Sequence, residues 1–357
     1  MAEVLKLVPC SYPLTGGKIA FVAEAPGETE VEKGEVLVGA SGQEFSRMLR
    51  DAGVVRSECL LTNVFNFRLP SNNVRMISDR KSEMPPDYQH GPVEPGAYVR
   101  PEFLGALDRL KGEIERVGPN VIVPMGNTAL WAICGVTGIT KYRGYVLESS
   151  LLPGVKVIPT FHPANILRAW GNRIFFLADV MKALTQSEYP DIRRPDRELW
   201  LYPTIEDIYD FEQRYMGDTE LLGVDIETWR GQITCLGFSP DPEHGLVVPF
   251  IDRGKSTYSY WHTLRDEVEA WRWVKRTMQD PLYPKLFQNG MYDIFWQFTE
   301  PLNIRVANAA EDTMILHHAL HPELPKSLHF LGSIYTEEIA WKLERPRGTR
   351  TEKREDT

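Results

Sequence analysis

Short apolar runs recur through the first half of the chain, each bounded by turn-forming residues: Ile19-Ala-Phe-Val-Ala23, Leu60-Leu-Thr-Asn63, Val121-Ile-Val-Pro124 and Val155-Lys-Val-Ile158. Runs that are apolar on both faces predict strands buried on both sides, as in a parallel sheet. Between them lie stretches of helical periodicity, including Phe45 to Ala52 and the segment entered through Met125-Gly126-Asn127. This alternation predicts an α/β sandwich whose chemistry gathers outside the carboxyl ends of the strands. The second half changes character. Leu199 to Tyr202 reads as an edge strand, Ile205 to Met216 as a helix, and Leu221-Leu-Gly-Val-Asp-Ile-Glu-Thr228 as a strand carrying two acids. Further on, Lys285-Leu-Phe-Gln-Asn-Gly-Met-Tyr-Asp293 predicts a short strand, a turn at Asn289-Gly290 and a helix.

The polar residues inside these runs are the candidate chemistry. Asp225 and Glu227 are two apart, so a strand places both carboxylates on one face. Like charges at the edge of a core repel and lose hydration, and divalent cations are the usual remedy. Asn289 and Asp293 are four apart, a spacing at which one helical turn brings two side chains to a common side. In the first half, Glu24, Asn63, Gly126 and His162 each follow or end a predicted strand, so the topology gathers them at one edge of the sheet.

At 357 residues the chain is long enough for two or three domains, and 43% hydrophobic content supplies full cores. The polar stretch Ser187-Glu-Tyr-Pro-Asp-Ile-Arg-Arg-Pro-Asp196 marks a linker. The expected division is a first domain at 1–186, a linker at 187–196, a second domain at 197–342 and a charged tail at 343–357 whose composition predicts disorder. Cysteines 10, 59, 134 and 235 lack Cys-x-x-Cys spacing, which argues against a disulfide framework or a clustered metal site. No apolar run reaches the roughly 20 residues a bilayer requires, and the start lacks a secretory pattern, so no membrane is expected and the cytoplasm is. A net charge of −9 argues against a simple basic DNA-coating protein, although an acidic hydrolase site needs only a local cationic path.

The acid-bearing segments together resemble the first two motifs of the DEDD 3′-5′ exonucleases, specifically the proofreading domain of DNA polymerase I relatives. The resemblance runs from residue 197 to about 340 and includes Glu311-Asp-Thr-Met314 and Lys326-Ser-Leu-His-Phe-Leu-Gly332. It implies a ribonuclease H-like fold and phosphodiester hydrolysis by two divalent ions, Mg²⁺ or Mn²⁺, about 4 Å apart. Asp225, Glu227 and Asp293 would hold the metals, with Asn289 against the DNA. Asp312 matches an acid outside the metal core and is expected to cap a helix. The family's third motif, Tyr-x-x-x-Asp or His-x-x-x-Asp, has no visible counterpart, since Asp356 has Glu352 four residues before it. The chain is therefore expected to be the front of a longer polymerase-type protein, or to have a site completed by a separate DNA polymerase polypeptide, or an inactive one.

Ala23-Glu-Ala-Pro-Gly-Glu28, Thr62-Asn-Val64, Pro124-Met-Gly126 and Phe161-His-Pro-Ala164 resemble the uracil-DNA glycosylase superfamily, family 4 above all, over about residues 15 to 186. That resemblance implies a glycosylase-like α/β/α sandwich that flips uracil out of DNA and cleaves its N-glycosidic bond. Glu24 would position or activate water, Asn63 would read the uracil edge, and His162 would stabilise charge on the leaving base. Ala25, Leu37 and Gly126 would line the base site, and Ile166 or Leu167 would either wedge into the duplex or belong to the core. Two departures stand out. Val36-Leu-Val-Gly39 replaces a pattern with a stacking aromatic, and Pro9, Tyr12 and Phe67 occupy cluster-cysteine positions, so no iron–sulfur cluster is expected. The charged stretch from Asn72 to Tyr98 is expected to be a lid, a DNA-contacting arm or a disordered linker.

A glycosylase-like domain ahead of a proofreading-like domain resembles the N-terminal region of certain bacteriophage family A DNA polymerases, which implies the host cytoplasm. The expected function is DNA processing in replication and repair, acting on single-stranded 3′ ends and on DNA bearing uracil or a modified base. The alternatives are a catalytically degenerate DNA-binding accessory subunit of a separate polymerase and a stand-alone uracil-DNA glycosylase.

Overall fold

The computed structural model describes residues 6–338, so the expectations for the charged tail and for Asp356 lie outside the described residues. The described chain forms two compact units, residues 6–193 with 332–338, and residues 194–331.

In the first unit the strands are β1 (Ile19–Ala23), β2 (Leu60–Asn63), β3 (Val121–Pro124), β4 (Leu147–Glu148) and β5 (Lys156–Val157). The helices that matter here are α1 (Glu28–Lys33), α2 (Ala40–Asp51), α3 (Gly105–Val117), α4 (Asn127–Cys134), α5 (Pro163–Arg168) and α6 (Arg173–Gln186). The sheet order is β2-β1-β3-β5-β4, parallel except for β4 at the edge. Alternate residues of β1 serve two cores. Ile19, Phe21 and Ala23 pack with Phe45 and Met48 of α2 and with Phe176 and Val180 of α6. Ala20 and Val22 pack with Leu110 and Ile114 of α3 and with Ala129 and Ile133 of α4. The result is an α/β/α sandwich, with Phe21 edge-on to Phe45 at 5.1 Å in its first core.

Residues 72–98 are not a disordered linker. Val74, Ile77, Val93 and Ala97 are buried in the second core. Ser78–Asp79 pairs antiparallel with Tyr98–Val99, and Trp131 Nε1 donates to the Gly91 carbonyl at 2.8 Å. A few apolar anchors spaced among prolines and charges are enough to fix the segment, although its composition reads as solvated.

In the second unit the strands are β6 (Glu198–Trp200), β7 (Leu222–Trp229), β8 (Gln232–Ser239), β9 (His244–Pro249), β10 (Lys285–Phe287) and β11 (Ala309–Asp312). Their order is β11-β10-β7-β8-β9-β6. β7, β8 and β9 form an antiparallel meander, and β10 and β11 run parallel to β7. Counted from β7, the central order is 3-2-1-4-5, that of a ribonuclease H-like fold, with β6 added parallel to β9 at the edge. The helices α7 (Ile205–Tyr215) and α8 (Leu264–Gln279) supply Ile208, Phe211, Trp273 and Val274 to the core formed with Leu222, Val224 and Ile226. A capping box of Thr204 and Asp207 starts α7. The remaining helices near the acids are α9 (Met291–Phe298) and α10 (Thr313–Leu320). No helix among the described residues is long and apolar enough to cross a membrane.

Candidate functional site

Three strand ends of the first sheet deliver a polar side chain, and a fourth a glycine, to the same place. Glu24 follows β1, Asn63 ends β2, Gly126 follows β3, and His162 closes the stretch after β5. These residues line one cavity of about 470 Å³ together with Ala25, Leu37, Thr128 and Arg168. Asn63 is only 3% exposed, and its side-chain amide makes no hydrogen bond within the described residues. Arg109 holds its backbone carbonyl at 2.7 Å instead, so the chain is fixed while the amide stays available to a ligand.

His162 is the N-cap of α5, and its Nδ1 accepts the Ala164 N–H at 3.1 Å. In the neutral ring that acceptor role places the proton on Nε2. Burial, reinforced by Arg168, pushes the imidazole down to about 4, so it is a neutral donor at pH 7. Glu24 is displaced the other way. Burial raises its pKa, the hydroxyl of Thr128 donates to it and opposes the rise, and Glu94 adds to it. Gly126 sits at φ +91°, and a Cβ there would lie 3.3 Å from the His162 Cβ. Glycine thus permits both the turn and the close approach.

The loop that carries Leu37 is braced on both sides. Glu30 Oε1 accepts the Val38 and Gly39 N–H groups at 3.1 and 2.7 Å, and Arg56 Nη2 donates to the Val36 and Leu37 carbonyls, each at 3.1 Å. Leu37 itself adopts φ +54°. Gly42 of α2 lies so close that a Cβ would fall 1.9 Å from the Leu37 carbonyl oxygen. Of the two wedge candidates, Ile166 is fully buried and belongs to the core, whereas Leu167 is 50% exposed.

An iron–sulfur cluster requires converging thiolates, and the donor set does not fit one. The four cysteines are free and spread over positions 10, 59, 134 and 235. Burial pushes the Cys59 and Cys134 thiols up to about 12. Phe67 instead packs between Phe65 and Phe103, with centroids 5.8 Å away on either side.

In the second unit β7 alternates, with Val224 and Ile226 buried and Asp225 and Glu227 exposed. Asp293 on α9 is 3% exposed and accepts the Ile226 N–H at 3.0 Å, which brings it beside Asp225. Burial first, and Asp225 second, push its carboxyl up to about 6. Glu227 and Asp225 open into different hollows, and Asp293 lines neither. Glu227 lines a cavity of about 620 Å³ with Trp229 and Arg253, whereas Asp225 lines a cleft of about 610 Å³ with Phe238 and Gln288. Among the described residues no three His, Cys, Asp or Glu side chains are grouped as a metal ion requires. The described geometry brings Asp293 beside Asp225 and keeps Asp225 and Glu227 on the exposed face of β7.

Asp312 caps α10 through the Met314 N–H at 2.8 Å, as its residue type predicts. It also accepts from the Asn289 and Gly290 N–H groups at 3.1 and 2.8 Å, fixing the turn before α9. Asn289 stands in that turn at φ +62°, outside the helix, so the helical spacing expected between it and Asp293 does not apply. Tyr292 and Thr228, not singled out in the sequence, join α9 to the end of β7 through a 2.6 Å hydroxyl contact.

The raised carboxyl has a measurable consequence. With a folded value of about 6 against an ordinary 3.8, the folded unit binds more protons between those pH values, and its stability falls as pH rises through that window. In EDTA, Asp225→Asn is expected to lessen the fall, read as a smaller drop in urea midpoint between pH 4 and pH 6.

The sequence profile of the Uracil DNA glycosylase superfamily matches residues 11–185. The type-4 uracil-DNA glycosylase of Thermotoga maritima is 34% identical over 171 residues, 46% of this chain and 76% of that protein. That of Pyrobaculum aerophilum is 43% identical over 156 residues, 42% of this chain and 68% of that protein. A DNA polymerase of Bacillus phage SP01 is 25% identical over 332 residues. The match covers 84% of this chain but only 32% of the polymerase, so the chain spans about a third of that relative's length. Among solved structures, the EXD2 exonuclease domain aligns with a TM-score of 0.27 and 14% identity over 44% of this chain and 81% of that one, too distant a likeness to bear on activity. On the profile match and the type-4 relatives, carried by the unit that holds the Glu24, Asn63 and His162 cavity, the chain belongs to the uracil-DNA glycosylase superfamily.

Proposed function

We propose that the chain processes DNA in replication and repair, and that its first unit is a uracil-DNA glycosylase acting on a base extruded from the stack. The observation that carries this reading is the convergence of Glu24, Asn63 and His162 on one cavity, with a free amide and an Nε2–H donor both available to a ligand. Asn63 can pair with the amide edge of uracil, and His162 can donate to the base oxygen as negative charge builds on it. Breaking the C1′–N1 bond leaves the electron pair on the base; water adds at C1′ and its proton passes towards Glu24. The carboxyl of Glu24, buried and held by Thr128, is positioned to orient that water. Leu37 supplies an apolar wall but no π face, so hydrogen bonding has a larger share of base recognition than stacking.

A second activity is favoured by the Asp225–Asp293 pair: a 3′-5′ exonuclease dependent on Mg²⁺ or Mn²⁺, in a chain corresponding to the front part of a phage-type DNA polymerase. Divalent ions would supply Lewis acidity and an activated water there. With the three acids not grouped, no step is assigned to such ions, and a separate polymerase polypeptide is the proposed source of the missing acid. We assign the glycosylase unit to residues 1–186 and the nuclease unit to the stretch from 197, whose expected end at 342 gives way to 331 because residues 332–338 cluster with the first unit.

One assay separates these readings. The chain is incubated with 3′-labelled, uracil-containing single-stranded DNA in Mg²⁺, Mn²⁺ or EDTA, and products are resolved before and after alkali. Alkali-dependent breaks in EDTA, retained in Asp225→Ala, are the expected glycosylase result. A metal-dependent ladder abolished by Asp225→Ala is the expected nuclease result. Binding without either product would make the chain an accessory DNA-binding subunit and defeat both enzymatic readings.

A further inference from the structure

The segment beyond His162 carries an aromatic surface that the cavity does not use. α5 ends at Arg168, whose side chain lines the cavity. Trp170 follows two residues later and opens the turn Trp170–Asn172. Two trans peptide units place its Cα within about 7.6 Å of that of Arg168. Trp170 is 62% exposed.

The backbone that carries this indole is held in place. The Ala169 N–H donates to the Asn165 carbonyl at 2.8 Å, the Asn172 N–H to the Ala169 carbonyl at 2.9 Å, and Asn172 Nδ2 to Asn165 Oδ1 at 2.6 Å. The Arg173 guanidinium lies 5.3 Å from the ring centroid. Arg173 is anchored in turn by Glu44 at 3.4 Å and by Asp51. One part of the ring is therefore backed by a fixed cation while the rest faces solvent. Single exposed apolar residues are common and need no explanation. A large exposed aromatic on a hydrogen-bonded backbone, packed on one arginine and two residues from another that lines a base-sized cavity, has the make-up of a nucleic-acid stacking surface.

We propose that Trp170 is a stacking platform for an unpaired nucleobase next to the one held in the cavity, so that single-stranded or locally opened DNA is the preferred substrate. This rests on the reading of the cavity as a base site. Arg168 supplies positive charge for the intervening phosphate, whereas Arg173 is already paired with Glu44 and Asp51. Trp170 acts on substrate placement, not on the bond that breaks, so its loss raises KM and leaves kcat.

The test uses the full chain in EDTA and a single strand in which 2′-fluoro-2′-deoxyuridine, resistant to glycosidic cleavage, stands beside the fluorescent base 2-aminopurine. The wild-type chain is expected to bind and quench 2-aminopurine by stacking. Trp170→Ala should weaken binding about 10-fold and abolish the quenching, while Trp170→Phe retains most of both. Matching melting curves for the two variants exclude a folding defect. With ordinary uracil, Trp170→Ala should raise KM with little change in kcat. Wild-type binding and quenching in Trp170→Ala would overturn the proposal, as would absence of quenching by the wild-type chain. Quenching by the wild type with no cleavage of ordinary uracil in a parallel reaction would overturn the glycosylase reading and uphold the platform.

Discussion

Replacing His162 by asparagine is expected to slow uracil release by about 100- to 1000-fold, the usual cost of removing one preorganised donor from developing charge. Asparagine is a good N-cap, so the substitution preserves the start of α5 while withdrawing the Nε2–H. The loss should appear in kcat measured by alkali-dependent strand breaks, with KM and melting temperature close to wild type. An unchanged kcat would remove His162 from the mechanism. The imidazole also sets a pH dependence. Its folded value of about 4 lies below the ordinary 6.5, so the unfolded chain binds the extra proton between those values. The stabilisation is fully present above pH 6.5 and is lost as pH falls towards 4, at most about 3 kcal/mol. Protonation at Nδ1 would also remove the acceptor for the Ala164 N–H, so the cap and the tautomer fail together.

The second large effect is on stability. Gly42→Ala places a Cβ 1.9 Å from the Leu37 carbonyl oxygen, a main-chain atom held by Arg56 and unable to swing aside as a side-chain tip could. Either α2 moves away or the Leu37 loop does, and a cost on the order of 3 kcal/mol or more is expected, at the upper end for overpacking. Equilibrium urea unfolding of the first unit's transition should show a lower midpoint. Gly112→Ala, within α3, is the control. No atom lies within 4 Å of its added Cβ, so it should be neutral or stabilise by about 0.5–1 kcal/mol. A Gly42 variant as stable as the control would mean that the loop relaxes freely.

What could be read from the sequence divides along a physical line. Glu24, Asn63, Gly126 and His162 were legible because each sits at the end of an apolar run, and parallel topology alone brings strand ends together. Asp312 was legible because a cap depends on its immediate neighbours. Glu30 and Arg56 were not, since their partners at 36–39 become neighbours only after α1, α2 and the turn at Arg56 pack; in sequence they pass for ordinary surface charges. Residues 72–98 misled because a few buried anchors weigh little in a composition dominated by charge and proline. The packing around Asp225, Glu227 and Asp293 was only partly legible, for a related reason. Strand alternation puts two acids on one face, but it does not decide which hollow each one opens into.

The braces around Leu37 all grip main-chain atoms: Glu30 the amides at 38 and 39, Arg56 the carbonyls at 36 and 37. None of them senses which side chain stands at position 37. A substitution at 37 therefore leaves all four of these hydrogen bonds in place, because each ends on a main-chain atom. The main chain at 37 and the side chain it carries are thus fixed by separate means, the first by Glu30 and Arg56 and the second by the core that leaves Leu37 5% exposed.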